Sequence, residues 1–398
     1  MRAFSIAAAL VLVPAAVRAE DARGPRTYLP AATSEVVGGT DAPLGKWPDC
    51  AAVRWSGQQT CTGTLIAPTV AITAGHCSNR QLDSILVGTN SLQRVADGEV
   101  ITVTNQFVSD DADVTILMLA QASRFAPRAI ASGWASFDIK NGAAVAIVGY
   151  GATNAQASEG TPELQEATST ITDFDCSVKA GCDANELGAG GNGIDSCNGD
   201  SGGPLYLVTD YGEFLVGVTS RAYDDANDPC GEGGIYGRPD KIIDWIESVA
   251  GVPVARGPEP TAPRIEALRN AAGETVIETN DPKSDSHTFE ITTPPAHGTA
   301  KVRSDGRIRV CVNPDAVPGD ASDSLVIQVT DKQDATRTLA TKIQIAVGTD
   351  AADGTCDVDD FSVELDDGGG CCDSGRGGSP AGAGALALLV LVTLRRRR

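Results

Sequence analysis

The sequence predicts an all-β protein with two β domains in series. Between residues 36 and 249, short apolar runs such as 145–148 and 214–218 alternate with glycine-rich turns, a pattern typical of closely spaced strands. Residues 265–348 return to strand alternation and predict a small β-sandwich. Only residues 240–249 differ, because their apolar side chains recur at helical spacing and predict a closing amphipathic helix.

The N-terminal residues predict processing rather than structure. Arg2 precedes an apolar stretch over 3–13, and a small-x-Ala pattern ends at Ala19. This order is typical of a signal peptide, which we expect to span 1–19. A buried N-terminal helix is the alternative interpretation. The polar residues 20–35 are then expected to form a propeptide.

The remaining boundaries follow from composition. The first β domain is expected over 36–250, followed by a Pro-rich linker over 251–264 that should be extended and semi-rigid. After the sandwich, residues 349–370 are rich in Asp and Gly and predict a disordered spacer. The tail, 371–398, completes the chain.

Composition excludes some classes of function. The chain has 52 acidic and 31 basic residues and a net charge of −21, which argues against a nucleic-acid partner because phosphate needs a basic surface. Its 11 cysteines indicate an oxidising compartment and therefore secretion. Its three histidines are far apart in the sequence, so we expect no metal site and no cofactor.

The tail combines Cys371 and Cys372, small residues, an apolar run over 381–394 and four terminal arginines. The apolar run is shorter than the roughly 20 residues of a membrane-spanning helix. This order resembles the myxobacterial-type C-terminal sorting tail, in which the cysteine region is processed and lipid-modified. It implies transient or lipid-mediated membrane association, at the cell surface or outer membrane. A weak membrane anchor is the alternative.

Three stretches carry residues suited to nucleophilic catalysis. His76 and Cys77 are the last two residues of the stretch 72–77. Asp113 begins an apolar run, and Ser201 lies between glycines in the stretch 195–205. A serine hydroxyl is a weak nucleophile until a base removes its proton, and neutral histidine is such a base near pH 7. A carboxylate then orients the imidazole ring and stabilises its protonated form.

Together these motifs resemble those of trypsin-like serine proteases, over residues 36–249. The resemblance implies two six-stranded antiparallel β-barrels with His76, Asp113 and Ser201 as a catalytic triad between them. It also implies an oxyanion hole formed by the N–H groups of Gly199 and Ser201. The expected activity is hydrolysis of peptide bonds in protein or peptide substrates through an acyl-enzyme.

The same resemblance assigns a specificity pocket. Asp195 takes the position at the floor of the pocket, where its carboxylate would pair with Arg or Lys of a substrate. Gly234 matches a wall residue that leaves room for a long side chain, and Ser220 and Ala222 are expected to contact the substrate. The sequence departs from the family at Ser220-Arg221-Ala222, where most relatives carry Ser-Trp-Gly.

Activation is implied by the stretch 36–39, Val-Val-Gly-Gly, which is similar to the family's N-terminus after cleavage. The new α-amino group of Val36 would pair with the carboxylate of Asp200. Glu35 stands where trypsin zymogens carry Arg or Lys. The activating protease must therefore accept an acidic residue.

Cysteine spacing suggests several disulfides. A bond between Cys61 and Cys77 would brace His76, and one between Cys197 and Cys230 would brace the pocket. Further possible pairs are Cys176 with Cys182 and Cys311 with Cys356, whereas Cys50 has no evident partner.

The second β domain contains Thr-Thr-Pro-Pro-Ala-His-Gly-Thr over 292–299, which resembles bacterial immunoglobulin- or cadherin-like adhesive repeats. Two other functions are therefore considered: a catalytically silent binding protein on a protease scaffold, and an adhesin. We expect a monomer.

Overall fold

The structure of the chain is a computed structural model that describes residues 36–79, 81–179 and 181–362. The predicted signal peptide, propeptide and sorting tail lie outside these residues. Of the described residues, those up to Asp359 belong to one compact unit, and 360–362 fall in a second.

The first domain begins with a closed six-stranded antiparallel barrel. The short strand β1, Thr40–Asp41, precedes it. The barrel strands are β2 Cys50–Trp55, β3 Gln58–Ala67, β4 Val70–Thr73, β5 Ser84–Val87, β6 Glu99–Val108 and β7 Thr115–Leu119. They close in the order β2-β3-β4-β7-β6-β5. Buried apolar side chains fill the barrel, among them Ile85 and Leu117, and others such as Ile72 belong to the core shared with the second barrel. This is expected for strands with inward-facing residues.

A second six-stranded barrel follows. Its strands are β8 Ala144–Gly149, β9 Gln165–Asp173, β10 Glu186–Ala189, β11 Pro204–Thr209, β12 Gly212–Ala222 and β13 Gly234–Gly237. They run in the order β9-β10-β13-β12-β11-β8, β8 closes on β9, and β1 pairs with β9 at the edge. The predicted double-barrel architecture is therefore confirmed.

The predicted closing helix is α1, Ile243–Ala250, which follows a 3-10 turn at Pro239–Lys241. It buries Ile243, Ile246 and Ala250. The helix ends at Gly251 in the left-handed conformation, which glycine adopts without steric cost. Within the described residues, no helix has the length and apolar character needed to cross a membrane.

The linker, 251–264, is extended but packs closely against the first domain. Val254 is buried in the core shared by the two barrels. The N–H of Ala255 donates to the carbonyl of Ile66, and the N–H of Ile130 donates to the carbonyl of Ala255, both at 2.8 Å. These hydrogen bonds make the linker part of the structure of the first domain.

The second domain is a seven-stranded sandwich. Its strands are β14 Ile265–Arg269, β15 Ala272–Val276, β16 His287–Thr293, β17 Gly298–Val302, β18 Arg307–Val312, β19 Gly319–Asp331 and β20 Thr338–Ala351. The sheets have the orders β14-β20-β19-β16 and β15-β18-β17. Strand β20 passes the predicted boundary at residue 348, and a disulfide joins Cys311 to Cys356. The first residues of the predicted spacer are therefore ordered, and the prediction of disorder is wrong for them.

A junction connects the two β domains around Trp134. Its indole is fully buried and packs in the core of the sandwich with Ile265 and Ile308. The indole Nε1 donates to the carbonyl of Thr279 at 2.7 Å. Beside it, Lys283 Nζ lies 2.5 Å from an oxygen of Asp138. The Trp134 side chain is thus shared between the domains.

Candidate active site

His76 lies in a 3-10 turn, Gly75–Asn79, directly after β4. The neighbouring Cys77 is bonded to Cys61 of β3, which ties this turn to the first barrel. A Cβ at Gly75 would approach Asp113 Oδ1 to 2.7 Å. The glycine therefore permits the turn to lie against that carboxylate.

Asp113 is held by three hydrogen bonds. Its Oδ2 lies 2.8 Å from His76 Nδ1, its Oδ1 accepts from the backbone N of His76 at 2.8 Å, and its Oδ2 accepts from Ser220 Oγ at 2.6 Å. Burial opposes ionisation of Asp113, but these hydrogen bonds outweigh it and lower the pKa to about 2. The hydrogen bond to Asp113 in turn raises the pKa of His76 above its usual value.

Ser201 approaches this pair from the second barrel. Its carbonyl accepts from the backbone N of Thr62 at 2.9 Å, and a Cβ at the next residue, Gly202, would overlap Thr73 Oγ1. The loop of Ser201 is therefore pressed against the strands that lead to His76. No hydrogen bond to Ser201 Oγ occurs within the described residues.

The backbone N–H groups of Gly199 and of Ser201 itself have no hydrogen-bond partner among the described residues. The carbonyl groups of the same two peptides both accept hydrogen bonds. That of Asn198 accepts from Ala152 N at 2.8 Å, and that of Asp200 accepts from Gly203 N at 2.6 Å. In a trans peptide the N–H points away from its carbonyl. Two free donors thus lie next to a serine hydroxyl, an arrangement suited to binding an oxyanion.

A cavity of about 60 Å³ lies beside Ser201, lined among others by Asp195, Ser220, Ala222 and Gly234. Asp195 is 2% exposed. Its Oδ2 accepts from backbone N–H groups of the loop that follows Cys230, whereas its Oδ1 has no hydrogen-bond partner among the described residues. Burial raises the pKa of Asp195 to about 6 against the effect of those hydrogen bonds. The buried, half-satisfied carboxylate is suited to a cationic ligand.

Arg221 also lines this cavity, and its guanidinium group forms an ion pair with Glu186. Its Nη1 and Nη2 donate to the two carboxylate oxygens of Glu186 at 2.6 and 2.8 Å, and Nη1 also donates to Ser220 Oγ at 3.1 Å. Glu186 neutralises the positive charge that the sequence places beside the cavity. Glu186 was not predicted, because it lies 35 positions before Arg221 and nothing in the sequence marks the two as partners.

Asp200 is fully buried next to Ser201. Its oxygens accept from Gly151 N at 2.7 Å and Cys197 N at 2.9 Å, and it has no ion pair among the described residues. Burial, only partly offset by these hydrogen bonds, raises the pKa of Asp200 to about 7. Val36 is also buried, in the core of the second barrel.

The chain matches two models of known protein families. A family model described as trypsin matches residues 36–246. The chain belongs to the trypsin family. A second model, described as a bacterial Ig domain, matches residues 252–344, which cover the linker and most of the sandwich.

Similar proteins include trypsin alpha of Drosophila melanogaster, which is 26% identical over 61% of this chain and 97% of its own length. Glucanase inhibitor protein 3 of Phytophthora infestans is 33% identical over 54% of this chain and 88% of its own length. Among solved structures, neuropsin, a serine protease expressed in the limbic system of mouse brain, is 25% identical with a TM-score of 0.45 over 53% of this chain and 98% of that chain.

The trypsin domain contains three disulfides within the described residues: Cys61–Cys77, Cys176–Cys182 and Cys197–Cys230. Together with the Cys311–Cys356 bond of the sandwich, they are typical of proteins from oxidising compartments. Cys50 is a buried free thiol, and burial raises its pKa well above the usual value. Cys371 and Cys372 lie outside the described residues.

Proposed function

We propose that this member of the trypsin family is an active serine endopeptidase with His76, Asp113 and Ser201 as its catalytic triad. The main support is the geometry around Ser201. The ring of His76 is oriented by the Asp113 carboxylate, and Sγ of the neighbouring Cys77 lies 3.8 Å from the carbonyl oxygen of Ser201. The N–H groups of Gly199 and Ser201 are unpaired among the described residues. Protein or peptide chains are the substrates, and the chemistry needs no cofactor.

In this mechanism Ser201 Oγ attacks the carbonyl carbon of the substrate while His76 Nε2 takes the hydroxyl proton. The oxyanion of the tetrahedral intermediate accepts hydrogen bonds from the N–H groups of Gly199 and Ser201, each worth about 3 kcal/mol. His76 then gives its proton to the leaving amine. Water takes the place of the amine and attacks the acyl-enzyme while His76 accepts its proton, and His76 returns that proton to Ser201 Oγ as the acid product leaves. Asp113 keeps the His76 ring in the required tautomer and stabilises its charged form.

The test is Ser201→Ala in purified, processed protein. We expect hydrolysis of peptide amides to be lost while circular dichroism and thermal unfolding remain close to those of the wild type. Persistent amide hydrolysis by the purified variant would contradict the assignment.

For specificity, we propose cleavage after Arg or Lys, with Asp195 as the residue that binds the cation. The support is the buried Asp195 oxygen without a partner among the described residues and the position of Gly234, which lines the same cavity. A side-chain atom at Gly234 would lie 3.4 Å from Asp195 Oδ1. In a peptide library, Asp195→Ser should reduce the preference for basic residues by orders of magnitude, and cuts mainly after large apolar residues would contradict this proposal.

For activation, we propose cleavage between Glu35 and Val36. The new α-ammonium group is largely protonated near neutral pH and would supply the cation that Asp200 lacks. Leaving one partner of such a buried pair without the other costs about 3–5 kcal/mol, which would keep the uncut protein inactive. N-terminal sequencing of active enzyme should start at Val36, and trypsin should not cut after Glu35. Full activity with another N-terminus would overturn the mechanism.

The alternative function is a catalytically silent surface binding protein. One relative is named for inhibiting a glucanase rather than for cleaving proteins, and the Ig domain suits adhesion. This alternative predicts no reaction of Ser201 with a fluorophosphonate, whereas an active peptidase reacts. The three triad residues and the two free N–H groups favour the active peptidase.

For localisation, we propose export through a signal peptide over 1–19 and processing of the tail at Cys371 or Cys372. Lipid modification there would hold the protease at the cell surface or outer membrane as a monomer. Intact mass spectrometry of native protein tests this directly. An unmodified chain that ends at Arg398 would contradict tail processing.

A further inference from the structure

The loop that carries the two free N–H groups is held from the first barrel by the side chain of Thr62. This residue lies in β3 and is fully buried. Its Oγ1 lies 2.9 Å from the carbonyl oxygen of Gly199 and 3.3 Å from the backbone N of Tyr150. Thr62 therefore links the first barrel to two segments of the second.

The direction of these two hydrogen bonds is determined by chemistry. A threonine hydroxyl has one hydrogen to donate and lone pairs to accept. The backbone N–H of Tyr150 can only donate, so Thr62 Oγ1 accepts there and its own hydrogen is directed to the carbonyl of Gly199. Gln59 Nε2 supports the same carbonyl at 3.1 Å.

The consequence is that both peptides flanking Gly199 are fixed. The peptide before it is held through the Asn198 carbonyl by Ala152, and the peptide after it is held through the Gly199 carbonyl by Thr62. Gly199 has a φ of +102°, a conformation that other residues rarely adopt. With both neighbouring peptide planes fixed, the Gly199 N–H has one direction available.

We propose that Thr62 is a positioning residue for the oxyanion hole, which acts by holding the carbonyl of Gly199 so that the Gly199 N–H stays directed at the reacting atom. This inference rests on the proposed peptidase function. Thr62 does not touch the substrate. Its hydroxyl keeps the donor preorganised, and preorganised donors are the source of electrostatic stabilisation in the transition state.

The test compares Thr62→Val, which removes the hydroxyl, with Thr62→Ser, which retains it. Thr64→Val is a matched control, because Thr64 lies two residues further along β3, is equally buried, and its hydroxyl has no hydrogen-bond partner among the described residues. The measurements are the rate constant for phosphonylation of Ser201 by a fluorophosphonate, and kcat and KM on a peptide amide.

For Thr62→Val we expect the phosphonylation rate and kcat to fall about tenfold, the effect of one lost hydrogen bond, with KM close to that of the wild type. Thr62→Ser and Thr64→Val should react at nearly the wild-type rate. An unchanged rate in Thr62→Val, or an equal fall in Thr64→Val, overturns the inference. If the wild-type protein itself is not labelled, the proposed function fails and this inference fails with it. If the wild type is labelled and Thr62→Val reacts at the same rate, only this inference fails.

If Thr62→Val does not fold, Gln59→Leu tests the same contact from a half-buried position. It removes the second donor to the Gly199 carbonyl. A fall in kcat of about threefold with unchanged KM supports the role of this carbonyl, and an unchanged kcat overturns it.

Discussion

The proposed active-site cleft around Ser201 and the junction around Trp134 use burial in opposite ways. Asp195 lines the cleft, and Asp200 is fully buried next to Ser201. Both carboxylates are taken out of water without a cationic partner among the described residues, and their pKa values rise to about 6 and about 7. At the junction, an indole is buried with its one polar atom satisfied. The cleft keeps polar groups available for a ligand, which costs stability, whereas the junction gains stability and has no reactive group.

This difference predicts that substitutions in the cleft change rate and substitutions at the junction change stability. The largest effect on rate is expected from Asp113→Asn. The amide cannot stabilise a protonated His76 and favours the wrong tautomer of the ring, so kcat should fall about 10⁴-fold. Thermal unfolding should change little by comparison. A kcat within about tenfold of the wild type would show that Asp113 does not have this role.

The sequence predicted the cleft better than the junction for a physical reason. The proposed chemistry requires a histidine, a carboxylate and a serine, here His76, Asp113 and Ser201. Glycines mark the backbone turns around His76 and Ser201, so the pattern is visible in the sequence. Trp134 and Val254 are ordinary apolar residues whose partners depend on how the two domains meet. Their packing leaves no local pattern, so the linker around Val254 was predicted to be extended and semi-rigid, and its packing against the first domain was not predicted.

Within the cleft, too, the residues marked by a local sequence pattern were predicted, and those that depend on distant partners were not. Asp195 and Gly234 follow from positions relative to Ser201. Glu186 and Thr62 were missed because each acts through a partner distant in sequence, Arg221 and Gly199. Supporting contacts of this kind can be found only when the three-dimensional positions of the residues are known.

At the junction, Trp134→Ala should reduce the free energy of unfolding by about 3–5 kcal/mol, the usual cost of deleting a large buried aromatic side chain. It should leave kcat unchanged at temperatures where the protein is folded. Chemical denaturation followed by tryptophan fluorescence and by activity measures both quantities. A loss below about 1 kcal/mol would show that the two domains are not packed together in solution.

The pH dependence of kcat/KM is expected to reflect His76. Only the neutral imidazole accepts the proton of Ser201, and the hydrogen bond with Asp113 raises the pKa of His76 above 6.5. Activity should therefore fall as the pH decreases through a value above 6.5, by about tenfold per pH unit below it. An acid limb well below pH 6.5 in a pH–rate profile would contradict this geometry.

The smallest effect is expected from Lys283→Met at the edge of the junction. Its ion pair with Asp138 is partly exposed to solvent, and such pairs contribute about 0–1 kcal/mol. Urea denaturation should show a change in this range, with no change in kcat. A loss comparable to that of Trp134→Ala would mean that charge, rather than apolar burial, holds the domains together.

The most direct test of the central claim is to map the fluorophosphonate adduct on the processed protein by mass spectrometry. The account predicts a single adduct on Ser201, formed at a rate that falls when His76 is replaced by Ala. No adduct on the correctly processed protein, or peptide cleavage that continues after complete labelling of Ser201, would contradict it.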